Sequence, residues 1–249
     1  MSESVLRVGL IYPSVLGTYG DSGNALILVE RAIRRGIAAE IVEVDIVFKY
    51  TAYIEIYTLG GGEDTAQAIA ARQLRKNTGL VEAAAKGAPI LAICASLQVL
   101  GVSYTDASGN TVEGLNLLDV VTRPRGSRAI GELVEQPLVE GLTLPLTGFE
   151  NHGGGTTLGS EAKPLAEVLV GVGNGATSEG EQHPQGGVRY EGAVQGSIIA
   201  TYLHGPVLAR NPELADYLLA KALGTDLDPL EIPGVERLRS ERIREALGG

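Results

Sequence analysis

The sequence predicts an α/β protein: a doubly wound, mostly parallel sheet with helices on both faces, added antiparallel strands and a C-terminal helical tail. Three observations predict it. The first hundred residues alternate between short apolar runs and amphipathic, Ala-rich segments. The runs are apolar almost throughout, as strands covered on both faces are, instead of every second residue. Gly-rich loops close several of them, and strand–crossover–strand at this spacing builds a parallel sheet.

Val5 to Tyr12 (VLRVGLIY) reads as the first strand, followed by the loop Pro13 to Asn24. Leu26, Val29 and Ile33 then mark a helix closing at Gly36, a residue type suited to the left-handed end of a helix. Ala39 to Val47 is a second strand, and Tyr53 to Leu59 a third that runs into Gly60-Gly61-Gly62-Glu63-Asp64. Helices are expected over Thr65–Leu74 and Gly79–Lys86, and a fourth strand over Ala88–Ile93, ending at Cys94. From Tyr104 to His204 Gly and β-branched residues dominate, with short strands expected at Leu117–Val121, Ile130–Leu133, Glu167–Val170 and Ser197–Leu203 extending the sheet. Asn211-Pro212 reads as the cap and first residue of a helix. Leu214, Leu218, Leu219 and Leu223 are its buried stripe and Gly224 its end. A last helix, Val235 to Leu247, has only a thin apolar stripe and is expected to dock loosely or to touch a partner. The organisation expected is one main domain, residues 1–224, and a helical tail, residues 225–249.

Composition excludes several classes of function. A chain of 249 residues can bury a core without disulfides or metal. Its net charge of −10 argues against nucleic-acid binding and against a polybasic membrane surface. One cysteine rules out an internal disulfide framework, and the absence of H-E-x-x-H or paired cysteines leaves no metal motif. Met1 to Arg7 lacks the basic start and apolar stretch of a signal peptide, and no apolar run is long enough to span a bilayer, so a cytoplasmic protein is expected. No G-x-G-x-x-G or G-x-x-x-x-G-K-[ST] motif points to a nucleotide site in this chain.

Cys94 is the first candidate for chemistry. It stands in Ala92-Ile93-Cys94-Ala95-Ser96, between an apolar strand and a segment that can begin a helix. That is the strand–nucleophile–helix turn of elbow enzymes, which needs small residues two places to either side. The helix start is expected to lower the thiol pKa and favour the thiolate. A lone cysteine reads equally as a small buried hydrophobe. A thiolate nucleophile needs a histidine. His204 follows a strand end, where doubly wound sheets gather their sites, and is favoured over His152, which lies in a Gly-rich apparent turn. His183, in a polar loop, is expected in solvent. Gly60-Gly61-Gly62 could bring backbone N–H groups to join that of Ala95 in an oxyanion hole.

Four segments together resemble the class I glutamine amidotransferases of the cobyric-acid-synthase-like type. They are Tyr12-Pro13 with Thr18-Tyr19-Gly20-Asp21-Ser22-Gly23-Asn24; Leu59-Gly60-Gly61-Gly62-Glu63-Asp64; Ala92-Ile93-Cys94-Ala95-Ser96-Leu97-Gln98; and Tyr202-Leu203-His204-Gly205-Pro206. Within that family, Gly148-Phe149-Glu150-Asn151-His152 and the stretch His204 to Leu219 resemble the glutaminase subunits of lipid II isoglutaminyl synthase, the GatD type. The likeness runs from about Val5 to Leu223.

The resemblance implies that Cys94 attacks the side-chain amide of L-glutamine and that His204 moves the protons. It further implies that Ala95, Gly61 and Gly62 hold the oxyanion, that Arg128 pairs with the glutamine α-carboxylate, and that Gln98 lines the pocket. A guanidinium suits a carboxylate, although Arg128 is also one of three nearby arginines with Arg123 and Arg125. Two departures stand out. Ala92 and Ser96 occupy positions where many relatives carry glycine, and Pro206 stands where the triad form has a glutamate. A Cys–His dyad is therefore expected, its imidazole oriented by another group such as Glu63, Asp64 or a backbone carbonyl, a choice the sequence leaves open. The resemblance also implies a Mur-ligase-like partner that holds ATP and magnesium, this chain needing no cofactor. The pair, a heterodimer, would amidate the D-glutamate of lipid II to D-isoglutamine. Alternatives are another acceptor such as a cobyrinic acid derivative, a catalytically silent scaffold subunit, or a cysteine hydrolase acting on peptides.

Overall fold

The computed structural model describes residues 5–46, 53–106, 108–175 and 187–248. Its first half runs β1 (Leu6–Ile11), α1 (Gly23–Ile33), β2 (Ala39–Val44), β3 (Ile56–Leu59), α2 (Asp64–Lys76), α3 (Gly79–Ala85), β4 (Ile90–Ile93) and α4 (Ala95–Leu100). There follow β5 (Ser103–Thr105), β6 (Thr111–Glu113), β7 (Val120–Pro137), β8 (Leu146–Leu158), β9 (Ala166–Val170), β10 (Tyr190–Glu191), β11 (Ala193–Gln195) and β12 (Ile198–Thr201). Three helices end the chain, α5 (Val207–Arg210), α6 (Pro212–Leu223) and α7 (Val235–Ala246). Among the described residues no helix is long and apolar enough to cross a membrane.

The main sheet has the order β11-β12-β4-β3-β1-β2, parallel except for β11. The connection β1–α1–β2 moves one way along the sheet and the connection β3–α2–α3–β4 moves the other way. Right-handed crossovers therefore put α1 on one face and α2 and α3 on the other. Every residue of β3, β4 and β12 is buried, which is why these segments read as uninterrupted apolar runs. The edge strand β2 is half-buried and carries Glu40 and Glu43, charges that discourage pairing with another chain.

The antiparallel strands of the second half do not simply extend this sheet. Apart from β11 they form a second sheet, ordered β10-β9-β7-β5-β6, with β8 also paired to β7. The expected strands Leu117–Val121 and Ile130–Leu133 merge into β7, whose ladder with β8 breaks register between Pro124 and Ala129. The segment Gly148–Gly155, read as a turn, is the middle of β8: Gly148, Gly154 and Gly155 pair with Leu133, Pro124 and Arg123 of β7, while Glu150 and His152 are buried.

Other details shift as well. The buried face of α1 is Ala25, Leu28, Val29 and Ala32, whereas Leu26 and Ile33 are exposed. Asn211 precedes α6 but its side chain does not cap it. Its Oδ1 accepts from Thr147 N at 2.9 Å and its Nδ2 donates to the carbonyls of Thr147 and Val207, both at 2.8 Å, fastening the helix start to β8. The tail is held by Leu227, which packs against the core, and by polar contacts. Arg31 donates to Leu230 O at 3.1 Å as well as to Asp216 of α6, and Arg239 of α7 donates to Pro145 O. Leu238 and Leu247 remain exposed.

Candidate active site

Four loops leave the C-terminal ends of β1, β3, β4 and β12 side by side, the place where open parallel sheets collect their sites. Cys94 occupies the turn from β4 to α4 with φ 53° and ψ −103°, a conformation that a residue with a side chain holds only under strain. Its N–H donates to Thr201 O at 2.8 Å, so the end of β12 fixes the bend. Ala92 and Ser96 are both buried, and the Ser96 hydroxyl donates to Gly60 O at 2.6 Å. Ser96 thus ties the elbow to the glycine loop.

His204 lies three residues beyond β12 and is fully buried. Its backbone forms a two-bond antiparallel bridge with Phe149 of β8, His204 N to Phe149 O at 2.9 Å and the reverse at 3.3 Å. The imidazole Nδ1 lies 3.0 Å from Asp21 Oδ2 and 3.2 Å from Oδ1. A carboxylate only accepts, so Nδ1 is the donor of this contact. The imidazole Nε2 is buried and has no hydrogen-bond partner among the described residues.

Asp21 corrects the expectation that Glu63, Asp64 or a carbonyl orients the imidazole. Glu63 is exposed at the start of α2, and the Asp64 side chain lies outside the described residues. Pro206 lacks a carboxylate but packs against the loop that supplies one: a Cβ at Gly23 would lie 2.5 Å from Pro206 Cγ. One residue on, Asn24 Oδ1 accepts from Leu208 N at 3.0 Å. The loop after β1 is therefore seated residue by residue on the segment after β12.

Gly61 stands at the centre of this group. A Cβ there would lie 2.9 Å from His204 Cε1, 3.1 Å from Asp21 Oδ2 and 3.6 Å from Cys94 Cβ, so only glycine lets the three side chains converge. Its N–H donates to Asp21 Oδ2 at 2.8 Å. This corrects its assignment to an oxyanion hole: the Gly61 N–H is committed to the carboxylate. The Gly62 N–H makes no hydrogen bond among the described residues.

The thiol corrects a second expectation. Burial and the nearby Asp21 carboxylate push Cys94 up to about 12, against opposing pulls from the Ala95 N–H and Arg128. A helix start of a few residues does not outweigh enclosure, and the sulfur is stored as a thiol rather than a thiolate.

A model of the CobB/CobQ-like glutamine amidotransferase domain matches residues 7–212. The chain belongs to that family. It is 35% identical over 233 residues to the lipid II isoglutaminyl synthase (glutamine-hydrolyzing) subunit GatD of Staphylococcus aureus strain N315, covering 92% of this chain and 90% of that one. To the subunit of the same name from Streptococcus pneumoniae strain ATCC BAA-255 / R6 it is 34% identical over 248 residues, covering 96% and 89%. A solved structure described as a glutamine amidotransferase superposes with a TM-score of 0.54 at 19% identity, over 86% of this chain and 98% of that one, a likeness of fold.

In this amidotransferase domain Cys94, Ala95, His204, Gly62, Gln98 and Arg128 all line one cavity of about 210 Å³. Arg128 enters it from the break in the β7–β8 ladder, and its Nε donates to Asn151 Oδ1 at 2.5 Å. Gln98 is held on both sides, its Oε1 accepting from Gln67 Nε2 at 2.7 Å and its Nε2 lying 3.4 Å from the Tyr202 hydroxyl. His152 also lines the cavity but serves β8 itself. Its ring stacks on Tyr202 at 3.7 Å between centroids, and its nitrogens meet Gly154 O at 2.8 Å and Glu150 Oε2 at 3.2 Å. His183 lies outside the described residues.

Asp21 and Asn151 were given no role from sequence. For Asp21 a signal existed: it is an acidic residue in a Gly-flanked loop directly after the first parallel strand, at the functional edge of the sheet.

Proposed function

We propose that this chain is the glutamine-hydrolysing subunit of a lipid II isoglutaminyl synthase, working through Cys94, His204 and Asp21. The observation that carries the chemistry is the buried His204–Asp21 pair, whose imidazole lines the same cavity as Cys94. Similarity along nine-tenths of both chains to subunits with that activity in their names supports the acceptor.

The Arg128 guanidinium pairs with the α-carboxylate of L-glutamine and brings the side-chain amide to Cys94. As sulfur attacks the amide carbon, the thiol proton passes to His204 Nε2, so no free thiolate need accumulate in an enclosed site. Asp21 keeps the imidazole in the receptive tautomer and stabilises its transient positive charge. The N–H groups of Ala95 and Gly62 receive the developing oxyanion. The imidazolium proton then moves to the amide nitrogen, which leaves as ammonia, and a γ-glutamyl thioester remains. Water attacks the thioester with His204 as base, releasing glutamate and restoring the thiol.

Amidating a carboxylate requires its prior activation. A Mur-ligase-like partner holding ATP and magnesium does this at the D-glutamate of lipid II, in the cytoplasm, and receives the ammonia. Gln98 shapes the wall of the glutamine pocket. The test is L-glutamine labelled at its amide nitrogen, given to both chains with ATP and lipid II. The label is expected in D-isoglutamine; an unlabelled product, or none, would overturn the acceptor.

A further inference from the structure

We propose that Asn151 is a positioning residue that fixes the Arg128 guanidinium for the substrate α-carboxylate and fastens it to the wall carrying His204. The inference rests on the reading of Arg128 given above and deepens it.

Arg128 is an exposed side chain in a stretch of β7 that has lost its ladder to β8. An unsupported arginine there would sample many rotamers, and binding the α-carboxylate of L-glutamine would cost the entropy of fixing it. Asn151 removes that freedom with two bonds: Arg128 Nε to its Oδ1 at 2.5 Å and Arg128 Nη2 to its carbonyl oxygen at 3.3 Å. Both use one edge of the planar fork. The end formed by Nη1 and Nη2 retains two parallel N–H groups, the arrangement that grips a carboxylate with two hydrogen bonds.

Asn151 is itself fixed. Its Nδ2 donates to the Tyr19 hydroxyl at 2.7 Å. The Tyr19 ring packs edge-on against His204 at 4.9 Å between centroids and against Phe149 at 5.7 Å. An amide is suited to this place because it accepts from the guanidinium and donates to the phenol while leaving the cation uncompensated. A carboxylate would accept equally well but neutralise it. Arg128, Asn151 and Tyr19 thus form one chain from the carboxylate end of the pocket to the imidazole.

The test is steady-state ammonia release by the two-chain enzyme, with L-glutamine and with L-glutaminamide, whose α-carboxylate is replaced by a neutral amide. Asn151→Ala is expected to raise KM for L-glutamine about five- to tenfold with kcat within about twofold, the pattern of lost ground-state binding. It should leave kcat/KM for glutaminamide unchanged and add nothing on an Arg128→Ala background. Asn151→Asp, which keeps the acceptor, should raise KM at least as much by neutralising the fork. Tyr19→Phe should raise it less, in the same direction. A normal KM in Asn151→Ala while Arg128→Ala raises it would overturn the positioning role, as would an equal loss with glutaminamide. An unchanged KM in Arg128→Ala would instead overturn the reading beneath it.

Discussion

His204 Nδ1 and Asp21 Oδ2 lie 3.0 Å apart in a fully buried pair, although 183 residues separate them in the chain. The contact joins the loop after β1 to the loop after β12, and the flanking contacts of Gly23 with Pro206 and of Asn24 with Leu208 hold it in register. The carboxylate that meets His204 thus comes from a loop far back in the sequence, and Pro206 packs against the start of the helix that follows that loop.

Asp21→Asn should therefore be a catalytic lesion. An amide can present its NH₂ to Nδ1, which moves the imidazole proton to Nε2 and removes the acceptor for the thiol. We expect kcat for ammonia release to fall by about 10²- to 10⁴-fold with KM little changed. A kcat within about twofold of wild type would show that the imidazole needs no such partner.

Gly61→Ala should separate activity from stability. The added methyl meets His204 Cε1 at 2.9 Å and Asp21 Oδ2 at 3.1 Å, so the imidazole must move. Overpacking of this kind costs about 1–3 kcal/mol, which thermal unfolding will register as a lowered Tm in a still folded protein. Ammonia release should be lost far beyond that. Full activity would mean that His204 has room the structure does not give it.

The storage of Cys94 as a thiol predicts its reactivity. An ordinary exposed thiol alkylates at a rate that levels off above about pH 8.5. With Cys94 pushed up to about 12 by burial, alkylation of the free enzyme by iodoacetamide should be slow at neutral pH and still rising at the highest pH the fold tolerates. A plateau near neutrality in the rate against pH would contradict this.

Stability should depend on pH through a second buried pair. Glu191 is raised to about 7, chiefly by burial, and Glu135 beside it is raised well above its ordinary value by burial and by Glu191. Both carboxyls hold protons in the folded protein at pH values where the unfolded chain has lost them. Stability from this source is thus present below the ordinary carboxylate pKa of 4.5 and is lost as pH rises towards and through 7. Glu135→Gln supplies an amide donor to Glu191 without a titrating proton. It should flatten the fall in Tm between about pH 5 and 8, each kcal/mol corresponding to about 2–4 °C in a domain of this size. An unchanged slope would remove Glu135 from the account.

What the sequence made legible was local. The Cys94 elbow is written in a run of seven residues, because a strand, a sharp bend and a helix follow one another there without help from elsewhere. The parallel strands were legible for the same reason, since burial on both faces leaves unbroken apolar runs. Asp21 is marked in sequence only as an acidic residue in a Gly-flanked loop at the functional edge of the sheet; that it meets His204 is a long-range contact, which nothing local to position 206 reveals. Segment Gly148–Gly155 reads as a turn because it is rich in glycine, whereas its polar residues Glu150 and His152 lie inside the fold and contact one another and Tyr202, an arrangement visible only once the neighbours are known. The thiol was misjudged because the helix start is visible in sequence while the enclosure around the sulfur is not.

Ammonia release from L-glutamine by wild type and by Cys94→Ala, both with the ATP-dependent partner and its substrates present, tests the central claim most directly. The account predicts steady release by wild type and release at background level by the variant, with the variant still folded and still assembled. Release by Cys94→Ala at the wild-type rate would contradict it.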